Sequence, residues 1–596
     1  MHKPRYSEVF LFSSDFRILL SMKDIVFQLI KQCISGFAGE NSELVFDVTY
    51  PKPEFGDFAT NAALILSKKV PSVAPAGPKE LAIKMVETLK KLDSGKYFDD
   101  IVAVNGFINF TVSKKHLAQN LAEIQSLGDS YGTSKLGQGK TVVVEYFQNN
   151  VAKPPHVGHL RSAVIGDTLV RIYRALGYTV ISDTHIGDWG TQFGILLHAF
   201  KTMGNKAEVE QDPIHKLNDL YVAMRKKIEE HPEEYEQSKL EFKKLEDGDP
   251  ENRGLWEWFV SESIKDFDRY CGLLRLEKFD YNLGESFYED KMPQVLEELE
   301  IKGLVKSGDT GERYVDLEEY NMGRCILLKS DGATTYHLRD FATYIFRKKE
   351  WNFYKNYYVV DVRQSHHFKQ LFKVLELLGY SAESDSMHVE LGFMSLPSGA
   401  ISTRSGNTIS LKALLEEAEV RALAVINEKN PNLPRKEVIS KQVAIAAIKY
   451  FDLSHNRKTE IEFTWEKAIS FEGNTGPYLQ YTHARIHGIL KKANQELPET
   501  RSSNTEEFGG SESLVLRKLL QWNEILEMAG KDVFPSTICN YLFELASVFN
   551  GFYENVPVIK EVDSLKKNFR LELCRAVAQV IKNGLNILGI EAPEEM

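Results

Sequence analysis

Apolar positions along the chain change their period several times, and those changes divide it. From Met22 the run Met-Lys-Asp-Ile-Val-Phe-Gln-Leu-Ile has helical spacing, while Leu44-Val-Phe-Asp-Val-Thr-Tyr50 alternates like a strand. A loop at Pro51–Asp57, helices over Phe58–Lys69 and Leu81–Leu92, and strands at Ile101–Val104 and Phe107–Val112 complete a small α+β domain over 22–125. Before Met22 the pattern is poor. Arg5, Asp15 and Arg17 interrupt the apolar residues, so no signal-peptide core forms, and 1–21 reads as an extension ahead of a natural start at Met22.

The middle of the chain alternates strand and helix. Val142-Val-Val is a continuous apolar run, the pattern of a buried parallel strand. Asn149 and Asn150 end it, Pro154 and Pro155 block its continuation, and a helical pattern runs from Leu160 to a stop at Gly177. Thr179–Asp183 is a second strand. Residues of about 195–330 are long, helical and highly charged, and read as an insertion. Strands then recur at Cys325–Lys329 and Tyr357–Asp361, each followed by a helix. This is a doubly wound, Rossmann-like nucleotide-binding core over 126–455, split by a helical insertion. From Arg435 the chain is almost wholly helical, and 456–596 forms an all-α domain with a polar, mobile loop at 497–512.

Composition changes this picture little. The 596 residues suffice for several domains, and 43% hydrophobic with 26% charged is ordinary for a globular protein. No apolar run reaches the ~18 residues of a membrane span. The five cysteines lack CxxC spacing, which argues against zinc and against disulfides and points to a reducing cytoplasm. The net charge of −11 counts weakly against a nucleic-acid partner, since a local basic track can sit on an acidic body.

The candidate chemistry gathers where a strand meets a helix. His156 and His159 are three apart at a helix entrance, so both imidazoles can offer N–H groups to phosphate oxygens. Gly158 between them lets a flat base lie against the backbone. A bare HxxH is as easily two solvated histidines. Gly137-Gln-Gly-Lys140-Thr141 looks like the tail of a phosphate-binding P-loop, but Ser134 stands where that motif needs glycine, and a strand follows instead of a helix.

The neighbouring residues carry a resemblance. Asn150-Val-Ala-Lys153-Pro-Pro-His156-Val-Gly158-His159-Leu-Arg-Ser162 resembles the HIGH signature of class I aminoacyl-tRNA synthetases, in its arginyl-tRNA synthetase form. Gly187-Asp-Trp-Gly-Thr-Gln-Phe-Gly194 matches a stretch that lies beside the amino-acid site in that family. Gly399-Ala400-Ile-Ser402-Thr403-Arg404-Ser resembles a degenerate second signature, KMSKS, with Ala400 and Thr403 where its two lysines would stand. Some arginyl enzymes carry a compensating lysine just before the HIGH signature, and Lys153 sits there, with Ser402 and Arg404 as further contributors. Gly56–Asn61 and Asn105–Phe110 resemble an N-terminal domain that contacts the outer corner of tRNA. Phe471–Arg485 resembles the opening of a helical anticodon-binding domain, in which Tyr478, Tyr481 and Arg485 share a helix face able to stack on bases. The plainer readings, a capped turn and an aromatic core face, stay open beside these.

The resemblance implies ATP-dependent ligation of L-arginine to tRNA(Arg) through an arginyl-adenylate, with Mg2+ accompanying ATP and no zinc or organic cofactor. It implies that His156, Gly158, His159 and His367 contact ATP, with Lys153 assisting at the phosphates. Asp340, with Tyr336 four residues before it, would grip the guanidinium, and Asn150 and Gln364 would hold the α-amino group. Gln148 stands where many relatives have Ser, and Glu145 reads either as a second carboxylate or as a buried strand end. Asn61, Tyr478, Tyr481 and Arg485 would meet tRNA. The expectation is a cytoplasmic monomer. Two rivals stand beside it: another enzyme with the same signature, and an inactive tRNA-binding relative.

Overall fold

The computed structural model describes residues 21–39, 44–396, 399–400, 410–494 and 508–596. These form two compact units, one drawn from described residues of 1–136, 497–527 and 547–580, the other from those of 137–496, 528–546 and 581–596. Of the expected extension at 1–21, residues 1–20 lie outside the described residues, as do Ile401–Asn407 of the second signature and 497–507 of the polar loop.

In the first unit, helices α1 (Met22–Ala38), α2 (Ala62–Lys69), α3 (Pro78–Asp93) and α4 (Lys114–Leu127) accompany strands β1 (Val48–Thr49), β2 (Phe58–Thr60), β3 (Phe98–Val104) and β4 (Phe107–Val112). The sheet is antiparallel, in the order β1-β2-β4-β3. Ser21 opens α1 with a capping box, its hydroxyl accepting from Asp24 N–H. Two expectations are corrected. The strand at Leu44–Tyr50 shrinks to Val48–Thr49, and the helix expected from Phe58 begins at Ala62. Phe58 pairs instead with Phe110, and Asp57 N–H donates to the Phe110 carbonyl at 2.7 Å. Pairing with β4 and burial of both rings override the local helical pattern.

The second unit is built on β5 (Thr141–Glu145), α5 (Val157–Ala175) and β6 (Thr179–Asp183). Helices α6 (Thr191–Met203), α7 (Lys206–Val209), α8 (Pro213–Glu230), α9 (Glu233–Glu246), α10 (Pro250–Leu273) and α11 (Met292–Ile301) follow. The insertion is not purely helical, because β7 (Val305–Ser307), β8 (Arg313–Asp316) and β9 (Arg324–Leu328) form a small antiparallel sheet. The strand at Cys325 therefore belongs to that sheet and not to the nucleotide-binding one. Its partner β8 arrives from the same short segment, and adjacent antiparallel pairing needs only a short turn.

Next come α12 (Tyr336–Trp351), β10 (Lys355–Asp361), α13 (Ser365–Leu378), α14 (Ala382–Asp385) and β11 (Ser386–Leu391). The main sheet is parallel, in the order β11-β10-β5-β6. Val142, Val143 and Val144 of its central strand β5 are fully buried, as a strand covered on both faces requires. Leu338, Phe341 and Ile345 of α12 pack with Phe368, Leu371 and Val374 of α13 in the core cluster that includes Val143 of β5 and Tyr358 of β10. Winding runs outward in both directions from the β5/β10 junction, which makes that junction the topological switch point.

The remaining elements are β12 (Met394–Leu396), β13 (Gly399–Ala400), α15 (Leu411–Lys429), α16 (Lys436–Leu453), β14 (Ile461–Glu462), α17 (Trp465–Ala468) and α18 (Gly476–Asn494). Four more helices, α19 (Gly510–Leu520), α20 (Trp522–Asp532), α21 (Ser536–Asn555) and α22 (Ser564–Ile587), complete the chain. The start of α19 replaces the end of the loop expected at 497–512.

Candidate active site

The crevice lies at the carboxyl ends of β5 and β10, where α5 and α13 begin. His156 is the N-cap of α5, in an extended conformation. Its Nδ1 accepts from Gly158 N–H at 3.0 Å, and its own N–H donates to His159 Nδ1 at 3.2 Å. Both Nδ1 atoms thus act as acceptors, which puts each ring proton on Nε2. The rings lie 3.9 Å apart. A Cβ on Gly158 would come within 2.7 Å of the His156 ring, so this glycine first makes room for the capping imidazole. Burial, with the charges of Lys153 and Arg363, lowers the His156 pKa; burial, with His156 and Lys153, pushes that of His159 down to about 3. Two neutral imidazoles presenting Nε2–H at a helix N-terminus suit phosphate oxygens.

The loop before α5 is held from several sides. Phe147 and Ala152 both have left-handed backbones, with φ of +58° and +57°. Phe147 N–H donates to Ser162 Oγ at 2.8 Å, Ser162 Oγ donates to the Val359 carbonyl at 2.7 Å, and Ala152 N–H donates to Ser263 Oγ at 2.9 Å. Val151 N–H donates to the Gly187 carbonyl and Gly187 N–H to the Asn149 carbonyl, both at 3.1 Å. A Cβ on Gly187 would lie 2.2 Å from Asn150 Oδ1 and would push that side chain aside. Lys153 reaches over the Tyr221 ring of α8 at 5.0 Å, and burial, with the nearby charge of Arg225, lowers its pKa. At the far end of the second signature, Ser410 bridges to His156, and Leu411 N–H donates to the Pro155 carbonyl at 3.1 Å.

The carboxylates of the site divide. Glu145 is buried and lies 2.6 Å from Arg347 Nη1, while Asp183 lies 2.7 Å from Arg347 Nη2. Glu145 also accepts from Gln148 Nε2 at 3.0 Å. Glu145 is thus a buried strand end paired with an internal guanidinium, and its Oε2 accepts no hydrogen bond among the described residues. Asp340 instead keeps 24% of its side chain exposed. Its Oδ2 accepts from His367 Nε2 at 2.6 Å, and its Oδ1 stands 3.8 Å from His185 Nε2. Burial opposes ionisation of Asp340, but the hydrogen bond and charge of His367, with His185 and Arg339, outweigh it and hold the carboxyl below its usual range. Tyr336, 55% exposed, sets its ring edge-on to His367 at 4.8 Å. The Nε2 of His367 is thus engaged by Asp340. Gln364 and Asn150 are both exposed, one just before α13 and the other at the Gly187 bridge. Ser162 closes the first signature and His185 stands two residues before Gly187, and only the pairing of distant segments gives either of them its contacts.

A family model described as tRNA synthetases class I (R), catalytic domain, matches residues 121–465, more than half of the chain. The chain belongs to the arginyl-tRNA synthetase family. Models for the arginyl-tRNA synthetase N-terminal domain and the DALR anticodon-binding domain match residues 22–112 and 479–596. The chain is 40% identical to an arginine–tRNA ligase of Alkaliphilus metalliredigens, over 96% of this chain and 99% of that one. It is 39% identical to one of Clostridioides difficile, over 98% and 100%. Among solved structures, the arginyl-tRNA synthetase of Thermus thermophilus superposes with a TM-score of 0.80 at 25% identity, covering 96% of this chain and all of that one.

Within the arginyl-tRNA synthetase N-terminal match, Asn61 donates to Asp47 Oδ2 at 3.0 Å and accepts from Asp47 N–H at 2.9 Å. It occupies the N-cap position of α2 without capping it, and Thr60 Oγ accepts from Ala62 N–H instead. On α18, Tyr481 is 45% exposed with Phe471 edge-on, Tyr478 packs near Phe543, and Arg485 is half-buried. Ser402, Thr403 and Arg404 lie outside the described residues.

Proposed function

We propose that this protein attaches L-arginine to tRNA(Arg) in two steps. The arginine carboxylate attacks the α-phosphorus of ATP, giving arginyl-adenylate and pyrophosphate. The 2′-hydroxyl of the terminal tRNA adenosine then attacks the adenylate carbonyl, releasing AMP. The observation that carries the reading is, in a chain of this family, the HIGH imidazole pair at the start of α5 and a partly exposed carboxylate, Asp340, bonded to His367 at the start of α13, two helices that follow neighbouring parallel strands.

Catalysis is positioning plus charge stabilisation, with no covalent enzyme intermediate. His156 and His159 donate Nε2–H to the phosphates. Lys153 leaves Tyr221 to add the charge that Ala400 and Thr403 cannot supply, and Ser402 and Arg404 assist. Asp340 and Tyr336 receive the guanidinium, and Asn150, Gln148 and Gln364 hold the α-amino end. Magnesium arrives as part of the nucleotide substrate. Asn61 contacts the outer corner of tRNA, and Tyr478, Tyr481 and Arg485 contact the anticodon arm. The protein works as a cytoplasmic monomer. Adenylate formation waits for tRNA, so ATP–pyrophosphate exchange without tRNA is expected to be negligible.

The test is charging of total tRNA with each of the twenty amino acids, run with the wild type and Lys153→Ala. Arginine alone should be attached, and the variant should lose at least ~100-fold in kcat/KM. Full charging by the variant would move the compensating charge elsewhere. Charging by another amino acid, or by none, would refute the function.

A further inference from the structure

Asp340 is approached by two imidazoles from different parts of the chain. His367, on α13, donates from Nε2 to Oδ2 at 2.6 Å, and His185, in the loop after β6, places Nε2 3.8 Å from Oδ1. The Nδ1 atoms of both rings are buried with no hydrogen-bond partner among the described residues. The 2.6 Å contact puts the His367 proton on Nε2, toward the carboxylate, while His185 turns its Nε2 toward the other oxygen at 3.8 Å, an ion-pair distance and not a hydrogen bond. Both rings are locked by their neighbours. His367 packs against Tyr336, His337 and Phe368, and His185 lies 5.5 Å from the Tyr288 ring on a left-handed backbone with φ of +45°. A histidine in that backbone conformation is strained by ~1 kcal/mol or more and persists only where its surroundings impose it. The one guanidinium nearby in sequence, Arg339, is turned to Glu285 at 3.1 Å and Glu289 at 3.6 Å.

We propose that His185 and His367 are positioning residues that fix the plane of the Asp340 carboxylate, one imidazole per oxygen, so that it receives the two parallel N–H groups of a guanidinium and discriminates against an ammonium. The inference rests on reading this crevice as an arginine site. A carboxylate has about four lone-pair sites. His367 takes one site on Oδ2 and His185 stands beside Oδ1 without taking one, so each oxygen keeps a lone pair, and the rigid fork of arginine spans two such sites at once. The lysine ammonium is a point charge on a flexible stem and gains little from a fixed plane.

Asp340 must be ionised to bind either cation. The groups facing it are Tyr336, His337 and Arg339 from its own helix, with His367 from α13 and His185 from the loop after β6. Glu285, before α11, and Tyr358, on β10, complete the set. Of these His367 lowers the carboxyl most, against a burial that raises it. Losing His367 should therefore move the acid limb of arginine binding to higher pH.

The experiment uses the full chain with His185→Ala, His367→Ala and the matching Gln variants, whose amides can still donate. KM and kcat for arginine, and kcat/KM for lysine, are measured in tRNA charging between pH 5.5 and 8.5, with melting curves alongside. His198→Ala is the control, since it removes another histidine–carboxylate pair, His198 with Glu234 at 2.5 Å, which does not include Asp340. The Ala variants should raise the arginine KM about tenfold or more with kcat within about threefold, and narrow discrimination against lysine by a similar factor. The Gln variants should recover part of the loss, and His367→Ala should shift the acid limb upward. If arginine KM and discrimination stay within about twofold of wild type, or fall equally in His198→Ala, the proposal is overturned while the function stands. If the wild type does not charge arginine, function and proposal fall together.

Discussion

His156 caps its helix with its own ring, and that single choice fixes the tautomer of both signature histidines. It also makes Gly158 indispensable for a reason other than base stacking, since a Cβ there would strike the ring at 2.7 Å. Gly158→Ala should therefore lower charging by about tenfold or more while changing the melting temperature little, because the ~1 kcal/mol that alanine gains as a helix former is offset by the ~1 kcal/mol of a displaced cap. A parallel fall in activity and melting temperature would contradict this. Buried histidines also set the acid stability. Burial holds His159 at about 3 and both His337 and His483 at about 4, against an ordinary value of 6.5. Below 6.5 the unfolded chain takes up protons that the folded chain refuses, so stability falls as pH drops from about 6.5 toward 4, by up to ~1.4 kcal/mol per pH unit for each such group. Melting temperatures recorded across that window should decline steadily. A flat profile would show that these imidazoles can protonate in the fold. The sequence disclosed that His156 and His159 share a helix entrance, because three-residue spacing is local information. It did not disclose that His367 faces Asp340, since those residues belong to different helices.

At the scale of elements, the carboxyl ends of β5 and β6 are joined to α12 by Arg347, which is fully buried between Glu145 and Asp183. Burial alone would discourage charge on this guanidinium, yet the two carboxylates raise its pKa well above the usual value. Arg347→Met strands two buried carboxylates and should cost about 3–5 kcal/mol, seen as a large drop in melting temperature. Little change would mean that water or a shifted side chain replaces the pair. Strand and helix order in the core was legible, since Val142–Val144 and Thr179–Asp183 carry strong local patterns. Partnership was not. Cys325 lies in an apolar run that suits either a parallel core strand or an antiparallel edge, and only the closeness of β8 decides. Phe58 misled for a similar reason, because its pairing with Phe110 lies about fifty residues away.

At the scale of the whole molecule, the chain end returns to the second unit. The Gly589 carbonyl accepts from the fully buried Lys449 at 3.0 Å, Glu591 from Gln480 at 2.8 Å, Pro593 from His483 Nδ1 at 2.8 Å, and Met596 from Asn430 at 3.2 Å. Removing residues 589–596 leaves several buried donors unpaired, at roughly 1–3 kcal/mol each. The shortened chain should melt markedly lower, whereas an unchanged melting temperature would show the tail to be dispensable. Family, reaction class and the stretches that carry chemistry were determined by the sequence itself, because signature strings, glycine positions and apolar periodicity are properties of neighbouring residues. Tertiary structure alone decided that Glu145 and Asp183 meet Arg347 while Asp340 meets His367, and which strands share a sheet. Those are contacts between segments tens to hundreds of residues apart, and no local pattern encodes the partner.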